Sequence, residues 1–157
     1  QTPADLARRL VGAANVLPGM RVLEPSAGLG RILDQLPQGC EVVAVEIAEQ
    51  CAAELYRQNR EGVRLVQRDF LECLPDEFGQ FDRVVMNPPF HMRADIRHIE
   101  HALRFMKPGG VLAALCLNTH HRATALRSRA ATWEPIPEGE FAKEGTRVST
   151  VMLTVRA

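Results

Sequence analysis

Asn87-Pro88-Pro89-Phe90 is the segment whose residue types and spacing most clearly suggest chemistry. The apolar run 81–86 before it predicts a strand, and two consecutive prolines must end that strand because they lack backbone N–H donors and fix φ. A rigid amide followed by an aromatic ring is therefore held at a strand end. Ligands of open parallel α/β sheets bind at the carboxyl ends of strands, so this segment could grip a flat substrate that carries an amino group.

A second segment with chemical potential lies upstream, at Glu24-Pro25-Ser26-Ala27-Gly28-Leu29-Gly30. A short apolar strand, 20–24, precedes it, and apolar residues at helical spacing over 31–36 predict a helix after it. Glycines at such a turn let the backbone approach a nucleotide closely. The third glycine of the dinucleotide fingerprint is absent, and the carboxylate of Glu24 would repel a pyrophosphate but favour an ammonium or sulfonium group. The alternative is a structural turn that needs glycine only for its positive φ.

Two more carboxylates follow predicted strands. Glu46 lies at the end of the buried strand 41–47, and Asp69 with Phe70 follows the strand 63–68. An acidic side chain about 20 residues after a glycine turn can accept hydrogen bonds from both hydroxyls of a ribose. An acceptor beside a ring suits the amino group and the face of an adenine. Three successive strand ends with a carboxylate therefore predict a nucleoside site that also attracts a cation.

The other elements complete an alternating βα pattern. Thr2-Pro3 predicts a helix start, with Thr2 as the cap and Pro3 in the first helical position. Helices are predicted over about 48–59 and 94–106, and the apolar run 111–117 predicts a central parallel strand. These elements position the four segments above at the ends of neighbouring strands.

The C-terminal third predicts the last strand of the sheet. Pro135 and Pro137 interrupt the chain, and residues 147–155 alternate as a strand that pairs back as a hairpin. We find no repeats and no interdomain linker, so residues 1–157 are interpreted as one catalytic domain. Because the first residue is Gln1 instead of Met, we expect the chain to be trimmed or part of something longer.

Composition excludes several classes of protein. A chain of 157 residues can bury about 70% of its unfolded surface without staples. The sequence has neither a signal-peptide pattern nor an apolar stretch of the roughly 20 residues that span a bilayer. Its four cysteines show no ligand spacing, which predicts reduced thiols. We therefore expect a cytoplasmic protein with no membrane contact.

Charge is balanced overall but not along the chain. Residues 1–86 carry 9 Lys and Arg against 13 Asp and Glu, whereas residues 87–157 carry 10 against 6. The basic half begins at the Asn-Pro-Pro-Phe segment, which is compatible with a polyanionic partner, although solvated helix faces explain it equally well. The arginines that could line a nucleic-acid track are Arg93, Arg97, Arg104, Arg122, Arg127 and Arg129.

Histidines in the same half do not predict a metal site. His98 and His101 lie three apart on a predicted helix, with His91, His120 and His121 nearby in sequence. No carboxylate or cysteine is spaced to complete a ligand set, so we predict surface histidines. Trp133 is expected in the core or as a cover for a sheet edge.

Several motifs together resemble one enzyme family. They are Thr2-Pro3, Glu24 to Gly30, Glu46, Asp69-Phe70, Asn87-Pro88-Pro89-Phe90, Lys107-Pro108-Gly109-Gly110, and Pro137 to Phe141 with Gly145-Thr146. In these motifs and their order, the chain resembles the Class I S-adenosylmethionine (SAM)-dependent methyltransferases, and specifically the gamma-type DNA adenine-N6 group. This resemblance implies an α/β, Rossmann-like, seven-stranded mixed sheet with helices on both faces, in which five parallel βα units end in an antiparallel hairpin.

The resemblance also implies a cofactor site for SAM. Thr2 and Glu24 would contact the methionine end, and the glycine turn would pass beneath the cofactor. Glu46 would hold the ribose, while Asp69 and Phe70 would hold the adenine. The implied cofactor-binding set is Thr2, Glu24, Ser26, Ala27, Gly28, Gly30, Glu46, Ile47, Asp69, Phe70 and Asn87, where Ile47 lies against the other face of the adenine.

The implied catalytic set is Asn87, Pro88, Pro89 and Phe90. An exocyclic amino nitrogen is a poor nucleophile because its lone pair is delocalised into the ring. Hydrogen bonds from it to the Asn87 side-chain oxygen and the Pro88 carbonyl oxygen would make the nitrogen more tetrahedral and stabilise its developing positive charge. Phe90 would stack on the base, and a base in a duplex must be flipped out to reach the site.

The target is less narrowly defined than the reaction. Adenine N6 in DNA is favoured, and RNA is the main alternative because Asn-Pro-Pro-Phe followed by His91 also resembles ribosomal RNA guanine-N2 methyltransferases. A protein glutamine amide is a less favoured target. No target-recognition domain is visible, so a specificity subunit or a missing segment would select the sequence. A non-catalytic cofactor-binding subunit that needs a partner is the alternative outside the enzymes.

Overall fold

Seven strands form one sheet in the structure, a computed structural model that describes residues 2–137 and 149–157. The strands are β1 (Arg21–Glu24), β2 (Glu41–Glu46), β3 (Val63–Gln67), β4 (Phe81–Met86), β5 (Met106–Leu117), β6 (Thr132–Ile136) and β7 (Thr150–Arg156). Their spatial order is β3-β2-β1-β4-β5-β7-β6. The first five strands are parallel, β7 is antiparallel to β5, and β6 is antiparallel to β7. The predicted seven-stranded mixed sheet is confirmed.

Helices cover both faces of this sheet, as predicted. They are α1 (Ala4–Ala13), α2 (Glu49–Gln58), α3 (Pro75–Phe78), α4 (Ala94–Leu103) and α5 (His120–Leu126). One apolar cluster contains residues of α1 and α2, and a second contains residues of α3, α4 and α5. None of the helices in the described ranges is long and apolar enough to cross a membrane.

Strand order creates a crevice beside the centre of the sheet. From β1 the chain proceeds outward through β2 to β3, and it then returns to place β4 on the other side of β1. Connections leave β1 and β4 in opposite directions at such a switch point, so a crevice opens at their carboxyl ends. Glu24 ends β1 and Asn87 follows β4. The topology therefore places these two side chains on either side of the crevice.

The predicted helix over 31–36 is wrong. The structure has only a 3₁₀ turn, Leu33–Gln35, between the glycine turn and Pro37. Six residues make fewer than two helical turns, and a residue before proline is disfavoured in the α conformation. The apolar spacing instead reflects burial, since Ile32 and Leu33 both contribute to the core.

Three further boundaries differ from the prediction. A single helical turn, α3, lies at Pro75, where the sequence predicted no element, and β5 begins five residues earlier than predicted. Pro135 lies inside β6 instead of interrupting the chain, because β6 is an edge strand where a missing N–H is tolerated. The predicted tail motif over 138–146 and the predicted strand start at Arg147 lie outside the described residues.

Candidate active site

One cavity of about 280 Å³ lies at the carboxyl ends of β1 to β4. Its volume is near the lower limit of the roughly 300–1,000 Å³ typical of small-molecule sites. The predicted site residues that line it are Thr2, Glu24, Ser26, Ala27, Gly28, Glu46, Ile47, Asp69, Phe70, Asn87 and Pro89. Four strand ends that are far apart in sequence thus converge on one site.

Glu24 is the most deeply buried charge-bearing group of the cavity. It is 1% exposed, and its Oε2 atom has no hydrogen-bond partner among the described residues. Burial raises the pKa of the Glu24 carboxyl well above its usual range; Arg60 acts in the opposite direction, while Asp34 and Glu46 raise it further. A cationic ligand placed here would favour the ionised carboxylate.

Glu46 joins the glycine turn to the sheet. Its carboxylate accepts hydrogen bonds from the backbone N–H of Gly28 at 2.6 Å and of Ala48 at 2.7 Å. Each oxygen of an ionised carboxylate can accept more than one hydrogen bond. Glu46 therefore holds the turn in place and retains acceptor capacity toward the cavity.

Gly30 has a structural role in the turn. From the sequence alone, this role could not be distinguished from contact with a ligand. Gly30 does not line the cavity, and its φ is +85°. A Cβ atom here would lie 2.9 Å from Cδ2 of Leu55 and 3.2 Å from Nη2 of Arg60. Gly30 is thus favoured mainly by its positive φ, and the side-chain tips of Leu55 and Arg60 leave little space for a Cβ atom.

Asn87 has a fixed orientation and an unpaired acceptor. Its Nδ2 donates to Oγ1 of Thr2 at 2.9 Å, while its solvent-shielded Oδ1 has no partner among the described residues. The prediction that Thr2 caps α1 is wrong, because Pro3 occupies the cap position without a side-chain hydrogen bond. Thr2 instead orients the amide of Asn87 so that an acceptor is left for another molecule.

A buried ion pair fixes the end of the Asn-Pro-Pro-Phe segment. Nη2 of Arg122 donates to the backbone oxygen of Phe90 at 3.1 Å. The same guanidinium binds both carboxylate oxygens of the fully buried Asp95, at 3.1 and 3.2 Å. Asp95 also accepts from the backbone N–H of Leu117, at the end of β5. Removing one partner of such a pair typically costs about 3–5 kcal/mol of stability.

This pair changes the interpretation of Arg122 and was missed from the sequence. Arg122 was predicted for a nucleic-acid track, but its side chain is only 12% exposed. Phe90 is half-buried and lies outside the cavity wall, as does the buried Pro88. Arg122 therefore positions the segment that carries Phe90.

Asp69 and Phe70 both line the cavity, but they are engaged differently. The Asp69 carboxylate accepts from the backbone N–H of Leu71 at 2.9 Å. The Phe70 ring is 2% exposed and packs against Phe105 and His101, with ring centroids 5.3 and 4.9 Å apart. Phe70 is thus mainly a core residue whose edge reaches the cavity.

His98 is a cavity residue that the sequence analysis missed. It was predicted on the surface, yet it is 8% exposed, lines the cavity and lies 5.9 Å from the Phe70 ring. Its Nδ1 has no partner among the described residues, and burial lowers the pKa of its imidazole. The spacing Asp95, His98, Ala102 follows one helix face and could have indicated its burial. Among the described residues, no group of three potential ligands could hold a metal ion.

A family described as "Methyltransferase domain" matches residues 22–110. "Probable ribosomal RNA small subunit methyltransferase A" of Methanosarcina mazei is 27% identical over 157 aligned residues, which cover 85% of this chain and 57% of that protein. This chain therefore spans little more than half of that relative.

Solved structures share the fold over nearly the whole chain. TrmN from Thermus thermophilus superposes with a TM-score of 0.76 at 24% identity, covering 98% of this chain and 49% of that one. The type I restriction-modification methyltransferase subunit from Streptococcus thermophilus gives a TM-score of 0.79 at 19% identity, covering 99% and 44%.

The cavity also fits SAM chemically. The unpaired Glu24 oxygen suits a cation, and free acceptors on Glu46 and Asn87 face the same space. The matched family covers more than half of the chain and includes β1 to β4. The chain therefore belongs to the methyltransferase-domain family, as a Class I SAM-dependent methyltransferase domain.

Proposed function

We propose that this domain transfers a methyl group from SAM to an exocyclic amino nitrogen, most specifically N6 of adenine in DNA. The observation that carries the proposal is the unpaired, shielded Oδ1 of Asn87, held by the Thr2 hydrogen bond at the end of β4. A buried acceptor without a partner costs about 1–3 kcal/mol. A substrate amino group would remove that cost when it binds.

The cofactor would lie across the ends of β1, β2 and β3. Glu24 would bind the ammonium group of the methionine end, and Glu46 would accept from the ribose hydroxyls. Asp69 would accept from the adenine amino group, with the exposed side chain of Ile47 against the ring. When bound, SAM supplies an electrophilic methyl group on a cationic sulfur.

The chain's own residues would activate the amino nitrogen by position and hydrogen bonding. Oδ1 of Asn87 and the carbonyl oxygen of Pro88 would accept its two N–H groups, which concentrates the lone pair on the nitrogen. Phe90, whose backbone is fixed by Arg122, would stack on the base. The nitrogen would bond to the methyl carbon through its lone pair, while the electrons of the carbon–sulfur bond leave on the sulfur of S-adenosylhomocysteine. The nitrogen would then release one proton to water.

RNA is the second candidate substrate. It is favoured by the similarity to the Methanosarcina mazei relative, which is named as a probable ribosomal RNA methyltransferase, and by His91 directly after Phe90. A DNA target is favoured by the Asn-Pro-Pro-Phe segment together with the Glu24 to Gly30 turn. In either case a partner subunit or further segment would supply sequence selection, and the domain could depend on it for activity.

The proposal is tested by incubating the protein with SAM that carries a deuterated methyl group and with DNA, total RNA or ribosomal subunits. Mass spectrometry of the digested nucleosides should find the label on N6 of deoxyadenosine and none in samples without protein. Label found in RNA alone would show that RNA, the second candidate, is the substrate instead of DNA. A protein that binds SAM but labels no nucleic acid would contradict the proposed reaction.

Cofactor binding should release a proton from Glu24. Because burial raises the Glu24 pKa in the free protein, the carboxyl is protonated over a wider pH range than usual. An adjacent ammonium group favours the ionised form, so SAM affinity should rise with pH until the free carboxyl is itself ionised. Calorimetry in two buffers with different ionisation enthalpies measures the release. Equal heats in both buffers, or undiminished release in Glu24→Gln, would contradict this role.

His98 should contribute to the adenosine half of the cofactor site. It lines the cavity together with Asp69, and its buried Nδ1 is available to a ligand. His98→Ala should lower the affinities for SAM, S-adenosylhomocysteine and methylthioadenosine by a similar factor, about tenfold for one lost hydrogen bond. The matched control is His101→Ala, one turn away, which also contacts the Phe70 ring but does not line the cavity. Equal losses of affinity in both variants would contradict a direct contact between His98 and the cofactor and would indicate that His98 acts only through packing.

A further inference from the structure

The structure distinguishes the surroundings of five of the six arginines that the sequence placed on a possible nucleic-acid track. Arg122 is paired with buried Asp95, Arg104 contacts the His101 ring, and the Arg127 guanidinium lies 5.6 Å from the Trp133 ring centroid. Arg93 and Arg97 instead line a second cavity between α4 and α5, and neither forms an ion pair within the described ranges. The guanidinium groups of Arg93 and Arg97 are therefore available to bind an anionic ligand at this second cavity.

This second cavity combines an apolar surface with a basic rim. It measures about 380 Å³ and is lined by Met92, Arg93, Ile96, Arg97, His121 and Ala125. Met92, at 87% exposed, is the most exposed large apolar side chain among the described residues. Within residues 2–137 and 149–157, no carboxylate lines this cavity. Its chemistry suits a ligand with a flat apolar face and negative charge.

The second cavity is adjacent to the segment that would hold the target base. Met92 follows Phe90 by two residues, and His121 precedes Arg122, whose guanidinium binds the Phe90 backbone oxygen at 3.1 Å. The chain turns sharply between the two sites, because Met92 and Arg93 have φ of +48° and +60°. Two successive non-glycine residues in this region cost about 1–3 kcal/mol each, so the surrounding contacts must impose the turn.

We propose that this cavity binds the nucleotide next to the target adenine in the same DNA strand. Arg93 and Arg97 hold the phosphates on either side of that nucleotide, and Met92 with Ile96 packs against its base. The proposal rests on the proposed function, since it needs a nucleic-acid substrate at Phe90. A DNA strand fits better than an apolar peptide because residues 87–157 carry an excess of four positive charges.

The salt dependence of DNA binding tests the charged part of the cavity. For single strands, the slope of log K against log salt is about −0.7 per phosphate contact, so Arg93→Ala with Arg97→Ala should reduce its magnitude by roughly 1.4. Replacing both by lysine should restore the slope. The control is Arg8→Ala with Arg57→Ala, which removes equal charge from the helices on the opposite face. S-adenosylhomocysteine affinity should stay unchanged in every variant.

The apolar part is tested separately with Met92→Ser, which should raise KM for DNA while leaving the salt slope and kcat unchanged. An unchanged slope in the Arg93 and Arg97 double alanine variant, or an equal loss in the control, would overturn the proposal. The same loss with RNA but not with DNA would overturn the assignment to DNA. Failure of the unmodified protein to label any nucleic acid would instead overturn the proposed function on which the cavity's role rests.

Discussion

The site depends on one unsatisfied atom, the shielded Oδ1 of Asn87. A buried acceptor would ordinarily turn toward a donor, and three features hold it in place. Pro88 and Pro89 fix the backbone after it, Thr2 takes the Nδ2 hydrogen, and Arg122 binds the backbone oxygen of Phe90. The free-energy cost of the unpaired atom is thus maintained by contacts from distant parts of the chain, which is typical of a preorganised site.

Sheet topology explains how these contacts come together. The return of the chain from β3 to β4 places the ends of β1 and β4 side by side, with Glu24 and Asn87 on the crevice between them. Asp95 then joins the start of α4 to the end of β5 and, through Arg122, to α5. One buried carboxylate therefore couples the Asn-Pro-Pro-Phe segment to three elements, and α4 and α5 also carry most of the second cavity.

The features predicted correctly from the sequence are those that depend on residues close together along the chain. Strands with continuous apolar runs, and the carboxylates at their ends, required only the rule that parallel strands end at one edge. The missed features depend on long-range contacts. The pairing of Asp95 with Arg122 joins residues 27 apart, and the Thr2 contact with Asn87 joins residues 85 apart. The helix predicted over residues 31–36 is absent because their apolar spacing reflects burial against the core and not a helical backbone.

The most direct test of the central claim is steady-state methyl transfer by Asn87→Ala, compared with the unmodified protein at saturating SAM on the substrate identified by mass spectrometry. SAM affinity and thermal stability are measured on the same samples. If Oδ1 of Asn87 stabilises charge on the amino nitrogen, kcat should fall by about 10²–10³-fold, the loss typical of one such acceptor or donor, after any change in SAM occupancy is accounted for. A variant that retains the kcat of the unmodified protein would contradict the account.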